Sequence, residues 1–253
     1  MLRALWTGAT GMTSQQLLID TISNNLANVN TTGFKRQRIQ FQDLYYENIP
    51  VGISSSAEVG SGSRVVSTDR SFRQGNLEPT NDALSVAIEG PGFFTVETVA
   101  GTAYTRDGSF RLDAQGRLVN ASGYVVTSDG TAIEIPRNAT DLGISENGVI
   151  FGRVDGVFEE FGRLQIAVFA NPQGLEATGG NLFRVTPMSG EPELLTPGED
   201  GAGILRGGYI ETSNVEIVTE MVNLIVAQRA FELNSKTIET ADQMWGIANN
   251  VKR

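Results

Sequence analysis

Any chemistry in this chain would fall to its carboxylates. Glu159-Glu160 and Glu199-Asp200 are adjacent acidic pairs. Acid–base hydrolysis needs two carboxyl groups converging on one cleft from separate positions, with the proton affinity of one raised. Neighbours in a loop are instead solvated side by side. The 253 residues include no histidine and no cysteine. That removes the commonest general base, the commonest metal ligand, thiolate sites and disulfides together. The serine runs have no histidine to activate them. Gly60-Ser61-Gly62-Ser63 lacks the lysine of a phosphate loop. Lys35, Arg36 and Arg38 could meet a polyanion, but the net charge is −10, so they read as a solvated face or an intersubunit charge pair, and nucleic acid is excluded as a partner. Trp6, Tyr104 and Tyr124 could stack on sugar rings in a surface carbohydrate-binding β module. Trp6, however, falls on a helical seam and is explained by packing. The expectation is a non-enzyme with no catalytic, cofactor-binding or metal-binding residues, no cofactor and no small-molecule substrate.

The amides make a more specific pattern. Ser23 to Phe34 holds Asn24, Asn25 and Asn28, then Asn30-Thr31-Thr32-Gly33. Asn and Thr compete for local backbone groups and Gly accepts positive φ, so Gly33 reads as a helix C-cap. Leu26 and Val29 keep an apolar stripe running through the polar residues. A lone helix has little use for the upstream amides; a helix packed against copies of itself can use Asn24, Asn25 and Asn28 as subunit contacts.

The elements around these residues are helical at both ends. Over residues 1–30, Leu5, Met12, Ile19 and Leu26 recur every seven positions, with Ile22 and Val29 beside them. Gly8 and Gly11 weaken the first turns. After Ser213-Asn214, which reads as an N-cap, Ile217, Leu224, Phe231, Ile238 and Trp245 repeat at the same interval, flanked by alanines. Seven-residue spacing marks a narrow seam for another helix. A helix this long needs a comparably long partner, and only the other terminus offers one.

Between the helices the period changes to two. Phe93-Phe94-Thr95-Val96 and Leu164 to Phe169 read as strands. Asp107-Gly108, Gln115-Gly116, Ser122-Gly123, Asp129-Gly130, Asn147-Gly148 and Asp155-Gly156 read as turns. Residues 50–64 are Gly/Ser-rich and should be mobile in a monomer. The predicted fold is therefore α+β: long N- and C-terminal helices pairing as a coiled coil, with an inserted, mainly antiparallel β domain. Residues 1–33 plus 213–253 form the helical domain, 34–70 an extended arm or linker, and 71–212 the β-rich domain. No run of about 18 apolar residues exists to cross a membrane as a helix. The start of the chain lacks the apolar core and cleavage site of a secretory signal, so export by that route is not expected.

With both ends read, the sequence resembles the flagellar axial family of rod and hook subunits, most closely its distal rod branch. The resemblance rests on Asn24-Asn25-Leu26-Ala27-Asn28 and Thr32-Gly33-Phe34-Lys35. At the other end it rests on Glu211 to Val215, Met221 to Ile225, Gln228 to Glu232 and Asn234-Ser235-Lys236. Gly75-Asn76-Leu77, Gly90 to Phe94 and Tyr104 to Phe110 carry it in the middle. It implies a helical tubular homopolymer in the basal body that crosses the periplasm, transmits motor torque to the hook and encloses the export channel. The helices would line an inner tube and the β domain would form an outer layer. The implied partners are copies of itself, proximal rod and hook subunits, the surrounding outer ring proteins and the flagellar export apparatus, which exports such chains without a cleaved signal peptide. A hook or proximal rod subunit of the same family is the alternative. Phe41, Leu44 and Tyr45 resemble the family's short export motif. Tyr46, Glu47, Ile49, Pro50 and Arg64 occupy the place of the stretch that stiffens the rod.

Overall fold

The computed structural model describes residues 2–50, 56–199 and 201–251, with side chains over 5–47, 58–199 and 201–247. The chain forms two compact units. One comprises Met1–Ala27, Gln37–Ser71 and Val215–Arg253, the other Asn28–Arg36 and Phe72–Asn214. Residues 37–71 thus fall with the helices and 28–36 with the β structure.

The helical unit holds α1 (Leu2–Ala27) and α2 (Ile217–Val251), which pack on each other. The glycines expected to weaken α1 serve this approach. A Cβ at Gly8 would lie 3.0 Å from Ile238, and one at Gly11 2.9 Å from the Asn234 amide. Ala227 and Ala241, seven residues either side of Asn234, are buried. Between the helices in sequence runs a ribbon: β1 (Gln37–Asp43), β2 (Tyr46–Pro50), β3 (Ser56–Gly60) and β4 (Ser63–Arg70). β1 pairs antiparallel with β4, and β2 with β3. The Gly/Ser-rich stretch expected to be mobile therefore contributes two paired strands, because Ser56–Gly60 and Ser63–Arg70 find backbone partners in the more β-prone Gln37–Pro50.

The β unit runs β5 (Leu77–Pro79), β6 (Val86–Glu89), β7 (Phe94–Thr98), β8 (Gly101–Thr105), β9 (Arg111–Leu112), β10 (Leu118–Val119), β11 (Val125–Ser128), β12 (Thr131–Ala132), β13 (Thr140–Ile144), β14 (Val149–Val154), β15 (Val157–Arg163), β16 (Ile166–Val168), β17 (Glu176–Gly179), β18 (Leu182–Arg184), β19 (Glu193–Leu195), β20 (Ile204–Gly207) and β21 (Tyr209–Glu211). One sheet has the order β17-β18-β8-β7-β11-β10-β9, with β12 on β11. β13-β14-β15 form another, and β16-β19, β20-β6 and β21-β5 are pairs. Every pairing among the described strands is antiparallel. Two Asp-Gly turns behave as their residue types dictate. Asp129-Gly130 and Asp155-Gly156 both take positive φ at each position, joining β11 to β12 and β14 to β15.

Strand alternation sorts the core into two. Phe94, Ala103, Ile166 and Leu182 enter one cluster, with Val86, Phe110, Leu118, Ile150 and Leu205. Their immediate neighbours Phe93, Tyr104, Ala167 and Phe183 enter the other, with Phe169 and Leu175. Successive side chains of a strand point to opposite faces, so each of these dipeptides serves both clusters. The second is aromatic: Phe72 meets Phe93 edge-on at 5.3 Å, and Tyr104 meets Phe169 at 4.9 Å. Tyr104 is thus a core residue, not a surface group for stacking sugars.

Candidate assembly surface

The seven-residue rows lie within the helical unit at graded exposure. Leu5, Met12, Ile19 and Leu26 are half-buried, as are Leu224, Phe231 and Ile238, whereas Ile217 and Trp245 are exposed at the two ends of α2. The sequence row captured only part of the apolar surface. Val218, Met221, Val222, Ile225, Val226 and Leu233 are all more than half exposed. From Ile217 to Ala227 eight of the eleven α2 residues are apolar, all but Thr219, Glu220 and Asn223, so apolar side chains cover more than half of the helix circumference. Such a helix needs cover on more than one side. That run was the missed signal. On α1, Trp6 and Leu17 are exposed and border an open groove of about 460 Å³ that also touches Ala9, Thr13 and Val65.

The amides do not all face outward. Asn25 is buried and used within the chain: its Nδ2 donates to Gln37 O at 2.8 Å, and its Oδ1 accepts from Gln37 N at 2.9 Å. This corrects its reading as a subunit contact, because both ends of its amide fix the entry into β1. Asn24 is exposed. Asn28 and Val29 are half-buried, and the Asn28 side chain accepts from Thr31 Oγ1. Gly33 is no C-cap either, since α1 ends at Ala27. Its φ of +66° and burial serve another purpose: a Cβ there would lie 2.6 Å from Asp107 N. Phe34 is buried next to it. On the ribbon, Phe41 and Tyr46 are exposed, Tyr45 almost wholly so, and Leu44 is half-buried. Exposed Arg64 donates to Gln42 Oε1, and Glu47 is exposed on β2. Ile49 and Pro50 pair through their backbone with Ala57 and Ser56; their side chains lie outside the described residues.

The chain's entry into and exit from the β unit meet in a charged node. Lys35 is fully buried, which corrects its reading as a solvated or intersubunit charge. Its Nζ lies 2.6 Å from Glu211 Oε1 and donates to Arg73 O at 3.0 Å. Arg106 Nη1 lies 3.5 Å from Glu211 Oε2; the Arg106 Nη2 donates to Gly90 O, and the guanidinium sits 5.2 Å over the Phe93 ring. Glu211 also accepts from Gly75 N at 2.8 Å, and its carbonyl accepts from Gly33 N at 2.8 Å. Asn214, expected as an N-cap three residues before α2, accepts from Arg36 N at 2.7 Å and donates to Arg73 O at 2.8 Å. Thr32 Oγ1 donates to Asp107, and Asn181 donates to Thr32 O. Asp107-Gly108, expected as a hairpin turn, belongs to this node instead. Burial pulls Lys35 below its ordinary value against the opposing effect of Glu211, and burial likewise lowers Arg106. Two cations share one carboxylate, so removing Glu211 would leave both uncompensated.

Glu159 and Glu160 are exposed on β15, and Glu199 is exposed in a loop. Asp200 lies outside the described residues. Among the described residues no three acidic groups converge as a metal site.

Three family descriptions match the chain. "Flagella basal body rod protein" covers residues 5–35, "Flagellar hook protein FlgE/F/G D1 domain" covers 87–152, and "Flagellar basal body rod FlgEFG protein C-terminal" covers 206–251. The flagellar basal-body rod protein FlgG of Borreliella burgdorferi is 47% identical over 100% of both chains. The protein of that name from Bacillus subtilis is 39% identical, also over 100% of each. A second Bacillus subtilis protein, the flagellar hook-basal body complex protein FlhP, is 31% identical over the same span. The chain belongs to the flagellar basal-body rod protein family. It is a structural subunit of the flagellar basal body, of the distal rod. Each matched span of this rod subunit sends a charged side chain into the node: Lys35 from the first, Arg106 from the second, Glu211 from the third.

Proposed function

We propose that copies of this rod subunit stack into a helical tube that transmits motor torque to the hook and encloses the export channel. The helical unit forms the inner tube, with α1 and α2 paired as a coiled coil, and the β unit forms the outer layer. The ribbon is the arm, carrying the export motif at Phe41, Leu44 and Tyr45 and the stiffening stretch beyond it. The tube meets proximal rod subunits, hook subunits and surrounding ring proteins. It crosses the periplasm, and its subunits leave the cell through the flagellar export apparatus without losing a signal peptide. The subunit performs no catalysis.

The observation that carries this reading is the exposed apolar face of α2. Each large apolar side chain moved out of water contributes roughly 1.5–3 kcal/mol, and patches of this kind mark interaction sites. The cover is then other copies, so the drive to polymerise is built into the part of the fold left incomplete. Val226→Asp and Leu233→Asp in the full chain test it by sedimentation, electron microscopy and swimming assays. The expected outcome is folded, soluble monomers with unchanged circular dichroism, no tubes and no motility. Wild-type tubes and swimming from both variants would sink the reading.

A further inference from the structure

The β unit carries two surface features that the helix-driven reading leaves unused. The first is the tip of the β14–β15 hairpin. Beyond the Asp155-Gly156 turn, Val157 and Phe158 are each about 60% exposed, and Phe158 stacks on Phe151 with centroids 5.4 Å apart. Stacking fixes the orientation of an aromatic side chain that is still mostly wet. Glu159 and Glu160 follow it on an edge strand exposed along its first four positions. The second is an open groove of about 460 Å³ across β7, β8, β17 and β18, with Ser122 and Tyr124 from the turn before β11 at its side. Ala103, Tyr124 and Leu182 contribute its apolar lining, Val99 stands fully exposed in the β7–β8 turn, and Arg184 lies along it. Arg184 stands opposite Glu176 in the β17–β18 ladder but has no ion pair among the described residues; neither do Glu159 and Glu160. One feature is an apolar knob backed by negative charge. The other is a partly apolar hollow with a positive charge that has no ion pair among the described residues.

We propose that the hairpin tip of one copy seats in this groove of the next, Val157 and Phe158 against exposed Ala100 and half-buried Tyr124, over a floor of nearly buried Ala103 and Leu182, with Arg184 facing Glu159 and Glu160. This rests on the polymer reading and adds a second subunit contact, in the outer layer. The two surfaces differ and sit on one unit, so the contact is heterologous and extends without closing into a dimer. A second copy is the occupant because each chain presents both halves and the charges are complementary.

The chain lacks cysteine, so introduced thiols have no background. Full-length Asp155→Cys and Thr102→Cys chains, polymerised together and treated with a short bismaleimide, should give a covalent dimer, while neither variant alone should. Arg184→Glu should raise the critical concentration for polymerisation about tenfold, and adding Glu159→Arg and Glu160→Arg should restore it. Dimers from Asp155→Cys alone, mixed polymers without a cross-link, or Arg184→Glu assembling at the wild-type concentration would each overturn this contact and leave the polymer reading standing. If the wild-type chain forms no polymer at all, both fall.

Discussion

The β unit and the helical unit use their apolar residues in opposite ways. In the β unit, strand alternation carries phenylalanines and aliphatics into two clusters, and most of their members are almost entirely buried. Its buried charges find partners within the unit. In the helical unit, few large apolar side chains reach that state, Ile22 and Ile39 among them, while α2 holds much of its apolar surface in water. A completed core gains little from a neighbour, whereas an exposed helix face gains most of its burial from one. Substitutions in the completed core and on the exposed helix face should therefore act on different properties, the first on monomer stability and the second on assembly.

Removing a buried charge partner should separate the two units most sharply. Glu211→Ala strips away the carboxylate that both Lys35 and Arg106 meet, and breaking such a buried group costs about 3–5 kcal/mol. Leu233→Asp, on the exposed face, should shift monomer stability by no more than about 0.5 kcal/mol while abolishing assembly. Denaturant titration of both monomers checks this. If Leu233→Asp proves the more destabilising, the comparison breaks.

Backbone fit comes next. Gly33→Ala should cost up to about 3 kcal/mol, because the new Cβ is forced into a left-handed conformation and onto the Asp107 backbone. Differential scanning calorimetry should show the loss in the β unit's transition, and an unchanged midpoint would mean that residues 28–36 are not clamped there. Asn25→Ala acts on the other unit. It leaves the N–H and C=O of Gln37 without their side-chain partner, at a cost of about 1–2 kcal/mol. Faster amide exchange confined to Gln37 and the start of β1 is the expected signature. Protection lost across the β unit instead would blur the division.

What could be read from the sequence depended on how local each signal is. Asp129-Gly130 and Asp155-Gly156 announced their turns because the positive φ is a demand of the dipeptide itself. The seven-residue rows announced helices that pack. The breadth of the α2 face was hidden by reading a row where Val218, Val222, Ile225 and Val226 fill the remaining sides. The node was not legible because each member has an ordinary local context. Lys35 sits in a run of basic residues, and its carboxylate partner is 176 residues away. Asn25 was misread for a similar reason: its partner lies beyond the helix end, in a strand whose position the helix pattern does not specify.

The smallest expected effect tests whether the buried lysine is a cost the β unit carries. Burial lowers Lys35 below its ordinary 10.5. Between the lowered value and 10.5, the unfolded chain holds a proton that the folded chain has released. Stability attributable to Lys35 therefore rises with pH across that window. Tyr104 works the other way, since burial raises it above its ordinary 10.0, and stability linked to it falls as pH climbs past that point. Lys35→Met keeps most of the side chain's volume, removes the titration and leaves Glu211 with Arg106, at the loss of the hydrogen bond to Arg73. Subtracting the variant's stability from that of the wild type, measured in denaturant from neutral pH to 10.5, cancels Tyr104 and isolates the lysine. The difference should grow in favour of the wild type as pH rises. A difference that stays flat would mean that Lys35 keeps its proton throughout, held by Glu211 more strongly than burial opposes it. The node would then be a net source of the β unit's self-sufficiency, not a cost borne by it.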